Sequence, residues 1–155
     1  MRIRSVTLNN RRKGFEVVTA AKSYWYPYAK LQLRPAAGNR VIRVFVDDEL
    51  GGEGFTYVLK SGRQGTVHID QVLEYNQDPS YLRDALVYRL TLEVQRRVEK
   101  TSLSKREIIR RLGTSTAQFY RLIDQTNYHK SVDQLLSLLS VLECDVDFSV
   151  KVKSA

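Results

Sequence analysis

The spacing of apolar residues changes along the chain at about residue 78. Before that point, apolar residues form short runs that alternate with polar ones or are rich in β-branched types, a pattern typical of strands. The predicted strands are Ile3–Leu8, Phe15–Ala20, Val41–Val46, Phe55–Lys60 and Gly65–Asp70. The last two flank a turn around Gly62 and predict a hairpin, whereas the β-branched run Val41–Val46 predicts a strand in the middle of a sheet. Residues 1–78 are therefore expected to form a β-rich domain of unknown role.

From residue 79 onward, apolar residues recur every three or four positions, which predicts helices. Asp78 can cap a helix that has Pro79 at its first position. The stripe of that helix takes every fourth residue and predicts about five turns: Leu82, Leu86, Leu90, Val94 and Val98. Ser131 can cap a later helix with the stripe Val132, Leu135, Leu136, Leu139 and Leu142. The expected fold class is α+β, with a four-helix domain at residues 79–155 that ends in a strand.

Two short helices joined by a tight turn are predicted within Leu103–Ile123. Their buried sides are marked by Ile108, Ile109 and Leu112 in the first helix and by Phe119, Leu122 and Ile123 in the second. Gly113 gives the backbone freedom that a helix end needs, and Ser115 or Thr114 can cap the second helix. The second helix would expose Thr116, Ala117, Gln118, Tyr120 and Arg121. Such a pair can place its second helix in the major groove of DNA, although helical bundles that bind nothing use the same pattern.

The segment Val146–Lys153 alternates strictly between apolar and polar residues. Val146, Phe148, Val150 and Val152 would share one face, which predicts a strand. A strand needs a partner, so we expect it to pair either with the N-terminal sheet or with its copy in a second subunit. Cys144 precedes the segment as the chain's single cysteine and is interpreted as a plain buried thiol.

Positive charge is concentrated over the predicted helix pair. The 155 residues carry a formal net charge of +8, and residues 1–78 and 79–155 each carry +4. Arg96–Lys130 contains nine basic residues and only three acidic ones, Glu99, Glu107 and Asp124, which gives a local charge of +6. This balance suggests a polyanionic partner. No apolar run approaches the length of a membrane span, so a cytoplasmic location is expected and no membrane partner.

The sequence SLSKREIIRRLGTSTAQFYRLI resembles the lambda-repressor-like (Cro/XRE) helix-turn-helix proteins. The later helix fits their layout, and Leu138–Val152 is similar to the corresponding part of type II antitoxins and small phage-type regulators. The resemblance covers about residues 80–153. It is carried most specifically by Leu103, Leu112-Gly113, the Thr114-Ser115 turn, Phe119 and Leu122. It implies a double-stranded DNA-binding transcriptional regulator, a dimeric repressor or antitoxin-like autoregulator, with a recognition helix at about residues 115–124.

The DNA contacts follow partly from residue chemistry and partly from this resemblance. Gln118 and Arg121 are types that contact adenine and guanine edges, and the resemblance adds Thr116, Ala117 and Tyr120. Phosphate contacts are expected from the start of the first motif helix, from the loop after the second and, as the resemblance implies, from the start of the second. They are Ser104, Lys105, Arg106, Ser115, Asn127 and Lys130. A palindromic operator and a homodimer are expected, with a possible toxin partner bound by residues 1–78.

Two other interpretations remain open. The helical part could be a protein-interaction module that does not read DNA. Alternatively, Tyr24, Tyr26 and Tyr28, which alternate around Trp25, could stack single-stranded RNA bases. A strand that packs these tyrosines on a core or on a partner is the favoured interpretation of that strip.

Catalytic and metal-binding signals are weak. Asp47, Asp48, Glu49 and Glu53 surround Gly51-Gly52, but their spacing is not that of a calcium loop. His68 and Asp70 share one face of a predicted strand, and two ligands do not make a metal site. We therefore expect no enzyme activity, no metal and no cofactor.

Overall fold

The computed structural model describes residues 1–152 and has the expected α+β class. Within those residues it contains two three-stranded antiparallel sheets and five α-helices. The chain divides into two compact units, the first comprising Met1–Leu82 and the second beginning at Arg83. None of the helices in the described part of the chain is both long and apolar enough to cross a membrane.

The first unit contains both sheets. One sheet has the order β1 (Ile3–Asn9), β2 (Gly14–Thr19) and β3 (Ser23–Pro27), and the other has β4 (Val41–Val46), β5 (Gly54–Leu59) and β6 (Gln64–His68). The predicted hairpin is the β5–β6 pair, in which Phe55 lies opposite Val67. The prediction that Val41–Val46 occupies the middle of a sheet is wrong, because β4 pairs only with β5. β-Branched residues suit edge and central strands alike, so composition did not decide the position.

Aromatic rings fill the core of the first unit. The centroid of the Phe15 ring lies 4.9 Å from the ring centroids of both Tyr28 and Phe55, in edge-on and tilted geometry respectively. Tyr24 and Tyr26 in β3, and Tyr28 just after it, are all buried. The interpretation of this strip as a strand packed on a core is therefore confirmed.

The predicted strand at Gly65–Asp70 is two residues too long, because a helix begins at Ile69. Helix α1 (Ile69–Tyr75) is capped by His68, whose Nδ1 accepts a hydrogen bond from the Asp70 N–H at 3.2 Å. The Gln71 side chain accepts the His68 N–H at 2.9 Å, which completes a capping box. Histidine is an uncommon cap, so this helix start is hard to see in the sequence.

Helix α2 (Pro79–Lys100) has the predicted start, since the Asp78 carboxylate accepts the Tyr81 N–H at 3.2 Å. Its predicted stripe is wrong at the first two positions, because Leu82 and Leu86 are exposed. The buried residues are Val87, Thr91 and Val94. At 3.6 residues per turn, four residues advance by about 400°, so a strict four-residue stripe drifts by about 40° at each step. Such a stripe cannot face one core along the whole helix.

The second unit packs three further helices against α2. They are α3 (Lys105–Leu112), α4 (Thr116–Ile123) and α5 (Val132–Val141). Ser131 caps α5 as predicted, and its Oγ accepts the Gln134 N–H at 3.1 Å. The core consists of aliphatic residues from all four helices around one aromatic ring, that of Phe119, which is fully buried. Half-buried Cys144 packs against this core.

The predicted strand Val146–Lys153 is not formed over residues 146–152, and Lys153 lies outside the described residues. A lone strand leaves its backbone groups without partners, so the alternating pattern alone does not fold it. The apolar side chains are strongly exposed, at 86% for Phe148 and 98% for Val152. We call residues 146–152 the closing segment.

Candidate nucleic-acid interface

Side-chain caps and a glycine define the two helices predicted within Leu103–Ile123. Ser104 caps α3, with its Oγ accepting the Glu107 N–H at 3.1 Å. Ser115 caps α4 in the same way, accepting the Gln118 N–H at 3.1 Å. Between them Gly113 has φ +70°, a left-handed conformation that ends α3 at little steric cost to glycine. The turn is therefore set by local residues.

The outer face of α4 carries the residues predicted to read bases. Thr116, Ala117, Tyr120 and Arg121 are exposed and Gln118 is half-buried. The opposite face is held in the core by Phe119 and Leu122, which are almost completely buried. The Tyr120 ring packs edge-on against Phe119 at a centroid distance of 5.4 Å, so its exposed side has a defined position.

The start of α3 lies beside the outer face of α4. The Lys105 Nζ is 5.8 Å from the centroid of the Tyr120 ring, near the outer limit of a cation–π contact. A residue predicted to touch phosphate and a residue predicted to touch bases therefore share one surface. We call this surface, formed by Lys105, Tyr120 and Arg121, the α3–α4 face.

Acidic neighbours neutralise several of the basic residues but not those of the α3–α4 face. Glu107 pairs with Arg110 and, at 3.0 Å, with Arg111. Hydrogen bonds from Arg110 and then Arg111 lower the pKa of Glu107 to about 2. Glu93 pairs with Arg96 and Arg97. In contrast, Lys105, Arg106 and Arg121 form no ion pair with any residue in 1–152.

Lys130 does not occupy the position expected of a phosphate contact. Its side chain is buried, and its Nζ donates hydrogen bonds to the carbonyl oxygens of Leu122 at 2.9 Å and Asp124 at 2.8 Å. Burial lowers the pKa of Lys130, and the charge of Asp124 partly opposes that shift. The ammonium group thus closes the C-terminal end of α4, and the prediction for Lys130 is wrong.

The loop between α4 and α5 is held together by its own polar side chains. Asn127 is half-buried, and its Oδ1 accepts the His129 N–H at 2.9 Å. Arg83 anchors the loop from α2, donating to the carbonyl oxygens of Tyr128 at 2.7 Å and Lys130 at 2.6 Å. The role of Arg83 has no local signal in the sequence, because 47 residues separate it from Lys130.

Other candidate sites have structural explanations. The tyrosines of the Tyr24–Tyr28 strip are buried, so their faces are not offered for base stacking. In the acidic turn, Asp47 accepts hydrogen bonds from the Glu49 N–H at 2.9 Å and the Thr56 hydroxyl at 2.7 Å. Over residues 1–152, no group of three or more His, Cys, Asp or Glu residues is placed to hold a metal ion.

Comparison of the chain with family models, curated proteins and solved structures gave no significant match.

Proposed function

We propose that the second unit is a helix-turn-helix domain that binds specific double-stranded DNA and regulates transcription. In this proposal α2–α5 form the four-helix arrangement of lambda-repressor-like proteins, and α4 enters the major groove. The observation that carries it is the α3–α4 face, where cations that form no ion pair within residues 1–152 adjoin the outer side of a well-anchored short helix.

The residues on this face and beside it on α3 and α4 have distinct roles in the proposed complex. Arg121 and Gln118 contact base edges in the groove, Arg121 preferring guanine. Lys105 and Arg106, together with the N–H groups that begin α3 after Ser104, hold phosphates of the backbone. Phosphate contacts of this kind fix the orientation of the protein, and base contacts supply the sequence preference.

The proposed regulator is a homodimer that binds a palindromic operator, because one recognition helix reads only a few base pairs. The closing segment is the proposed dimer contact. Its exposed apolar residues alternate with polar ones along the chain, and pairing with a second copy would take them out of water. Pairing would also satisfy backbone N–H and C=O groups along the segment.

Charge favours one register for this pairing. In an antiparallel pair centred on Ser149, Asp147 of each copy lies opposite Lys151 of the other, and Phe148 lies opposite Val150. A parallel in-register pair would instead place Asp147 against Asp147 and Lys151 against Lys151. Opposite charges directly across a pair stabilise it and like charges destabilise it, so the antiparallel arrangement is the one proposed.

Selection of bound sites from random duplex DNA tests the proposal. The expected result is an enriched palindrome, and its half-site spacing gives the dimer geometry. Arg121→Ala should weaken binding to the selected site by about 1–3 kcal/mol and relax the preference at one position of each half-site. Lys105→Ala should weaken binding to all sequences alike.

Arg110→Ala is the matched control, because it removes the same charge from an exposed arginine already paired with Glu107. It should change DNA binding less than Arg121→Ala does. Failure of the purified protein to bind any duplex at low salt would overturn the proposal and leave the protein-interaction module as the better interpretation.

A further inference from the structure

The first unit is electrically polarised, with its basic turns gathered at one end. Backbone hydrogen bonds place the Lys13 carbonyl against the Tyr28 N–H at 2.9 Å and the Arg40 carbonyl against the Lys60 N–H at 2.8 Å. The Asn10 side chain donates to the Val41 carbonyl at 2.8 Å, which joins these two regions. Residues 10–13, 28–41 and 60–64 meet at this end; they contain eight Lys or Arg residues and no Asp or Glu. The charge of this end is therefore not compensated locally.

The acidic turn Asp47–Glu53 of the first unit lies at the opposite end. The Ile3 N–H donates to the Gly52 carbonyl at 2.8 Å, and the Ile69 N–H donates to the Glu53 carbonyl at 2.7 Å. These bonds hold the acidic turn of Asp47–Glu53 beside the start of β1 and the end of β6. The separation follows from strand direction, since β4 begins next to Arg40 and ends next to Asp47.

A cavity of about 490 Å³ opens within the basic end. Lys13, Arg34 and Arg40 line it, and none of its lining residues is acidic. These three cations make no ion pair with any residue in 1–152. The volume lies within the range of about 300–1,000 Å³ that small-molecule sites occupy. An uncompensated positive cavity of this size attracts an anion rather than a neutral solute.

The wall of the cavity is apolar and fixed. Tyr28 is buried, and its hydroxyl donates to the Asn10 Oδ1 at 2.9 Å. Further apolar lining comes from Pro27, Ala29, Pro35, Ala36 and Ala37. These side chains are short or rigid and lose little conformational entropy when a ligand packs on them.

The backbone at Lys13 is held in an unusual conformation. Its φ is +58°, in the left-handed region that non-glycine residues seldom adopt. The hydrogen bond from the Tyr28 N–H to its carbonyl fixes the turn there. Strained residues of this kind cluster at ligand sites, where neighbouring structure maintains the strain.

We propose that this cavity binds a small organic anion that carries a phosphate or carboxylate group on an apolar body. The anionic group lies among Lys13, Arg34 and Arg40, where guanidinium groups offer paired donors to planar or tetrahedral oxyanions. The apolar body packs against Tyr28 and the proline and alanine wall. The site belongs to the first unit and does not depend on the DNA-binding function proposed for the second.

Isothermal titration calorimetry of the full chain with phenyl phosphate tests this site. Phenyl phosphate should bind with saturation and one site per chain, and benzyl alcohol should not bind, because it has the ring without the charge. Benzoate in place of phenyl phosphate shows which oxyanion is preferred. Inorganic phosphate should bind more weakly than phenyl phosphate, because it cannot use the apolar wall.

The double variant R34A/R40A should weaken phenyl phosphate binding by about tenfold or more, the size expected for loss of charge-assisted hydrogen bonds. The matched control R2A/R4A removes two exposed arginines from the other end of the unit and should leave binding unchanged. Lys13→Gly is a second probe that keeps the fold, since glycine accepts the left-handed conformation while the charge is lost. It too should weaken binding.

Three results would overturn the proposal. They are no saturable binding of phenyl phosphate or benzoate at millimolar concentration, equal weakening by R34A/R40A and R2A/R4A, and binding of a single-stranded oligothymidylate without binding of either small anion. The last result would show a surface for nucleic-acid backbone in place of a small-anion site.

Discussion

The ammonium group of Lys130 lies where the last carbonyl groups of α4 need donors. It reaches two of them, on Leu122 and Asp124, from within the protein. Removing this buried donor would leave both carbonyl oxygens without a hydrogen-bond partner. Hydrogen bonds to charged groups contribute about 1.5–3 kcal/mol each. Lys130 therefore has a structural role at the end of the helix proposed to read DNA.

Lys130→Met should lower the free energy of unfolding by about 3 kcal/mol or more, because methionine keeps the apolar stem and loses both hydrogen bonds. Urea denaturation of the full chain measures the change. The control Lys105→Met alters an exposed lysine and should stay within about 0.5 kcal/mol of the parent protein. Equal losses in the two variants would contradict the role assigned to Lys130.

Glu107 limits the positive charge that α3 can offer to a polyanion. Hydrogen bonds from Arg110 and Arg111 lower its pKa to about 2, and at neutral pH its carboxylate offsets part of their charge. Glu107→Gln should therefore raise the affinity for random duplex DNA and steepen its salt dependence, by about one unit of slope for each additional phosphate that the released arginines neutralise. Fluorescence anisotropy across a salt series measures both quantities. An unchanged slope would mean that these arginines face away from DNA.

The α3–α4 turn could be predicted from residues within it, whereas the structure of the loop after α4 depends on contacts between residues far apart in the sequence. Ser104, Gly113 and Ser115 act on their own helix ends, so their roles could be recognised from sequence spacing. Lys130 and Arg83 act on carbonyl groups that folding brings to them, and charge alone made Lys130 look like a ligand contact. A charged residue has the same appearance in a sequence whether it meets solvent or a carbonyl group.

At the scale of elements, α2 shows how a helix can be predicted while its buried face is not. Its start follows from Asp78 and Pro79, and the apolar repeat predicts about five turns of its 22 residues, but the core takes Val87, Thr91 and Val94. Thr91 fits there because its hydroxyl donates to the Val87 carbonyl at 2.7 Å. Polarity predicts that Thr91 is exposed and Leu86 is buried, whereas in the structure Thr91 is buried and Leu86 is exposed.

Val94→Ala should lower the free energy of unfolding by about 2 kcal/mol, since it removes two buried methyl groups and leaves a small cavity. Leu86→Ala deletes a larger side chain from an exposed position. It should lower the free energy of unfolding by less than about 0.5 kcal/mol, apart from the small change in helix propensity. Thermal or urea unfolding distinguishes the two. A larger loss for Leu86→Ala would mean that its exposed face is covered in solution.

At the scale of the whole molecule, the closing segment is the part of the described chain whose pattern and structure disagree most. Its alternation is that of a strand, yet residues 146–152 form none. Residues far apart in the chain can supply the missing half of a strand pair, and so can a second molecule. Sequence alone left both open.

Charge reversal at the closing segment tests the proposed pairing. Asp147→Lys should weaken the dimer, because two like-charged pairs replace two opposite ones, and Lys151→Asp should do the same. The double variant D147K/K151D should restore association, since it exchanges the partners without changing the net charge. Sedimentation equilibrium over a concentration series measures the effect. If all three variants had the same dimer dissociation constant as the parent protein, this register would be excluded.

The exposure of the closing segment has a consequence for protein turnover. In the proposed dimer, a separated copy presents the seven residues of the closing segment, four of them apolar, to any protease, whereas a paired copy would hold the same backbone in a ladder. Pairing depends on concentration through mass action, so the cleavable form prevails when the protein is scarce. The lifetime of each molecule would then lengthen as its own concentration rises.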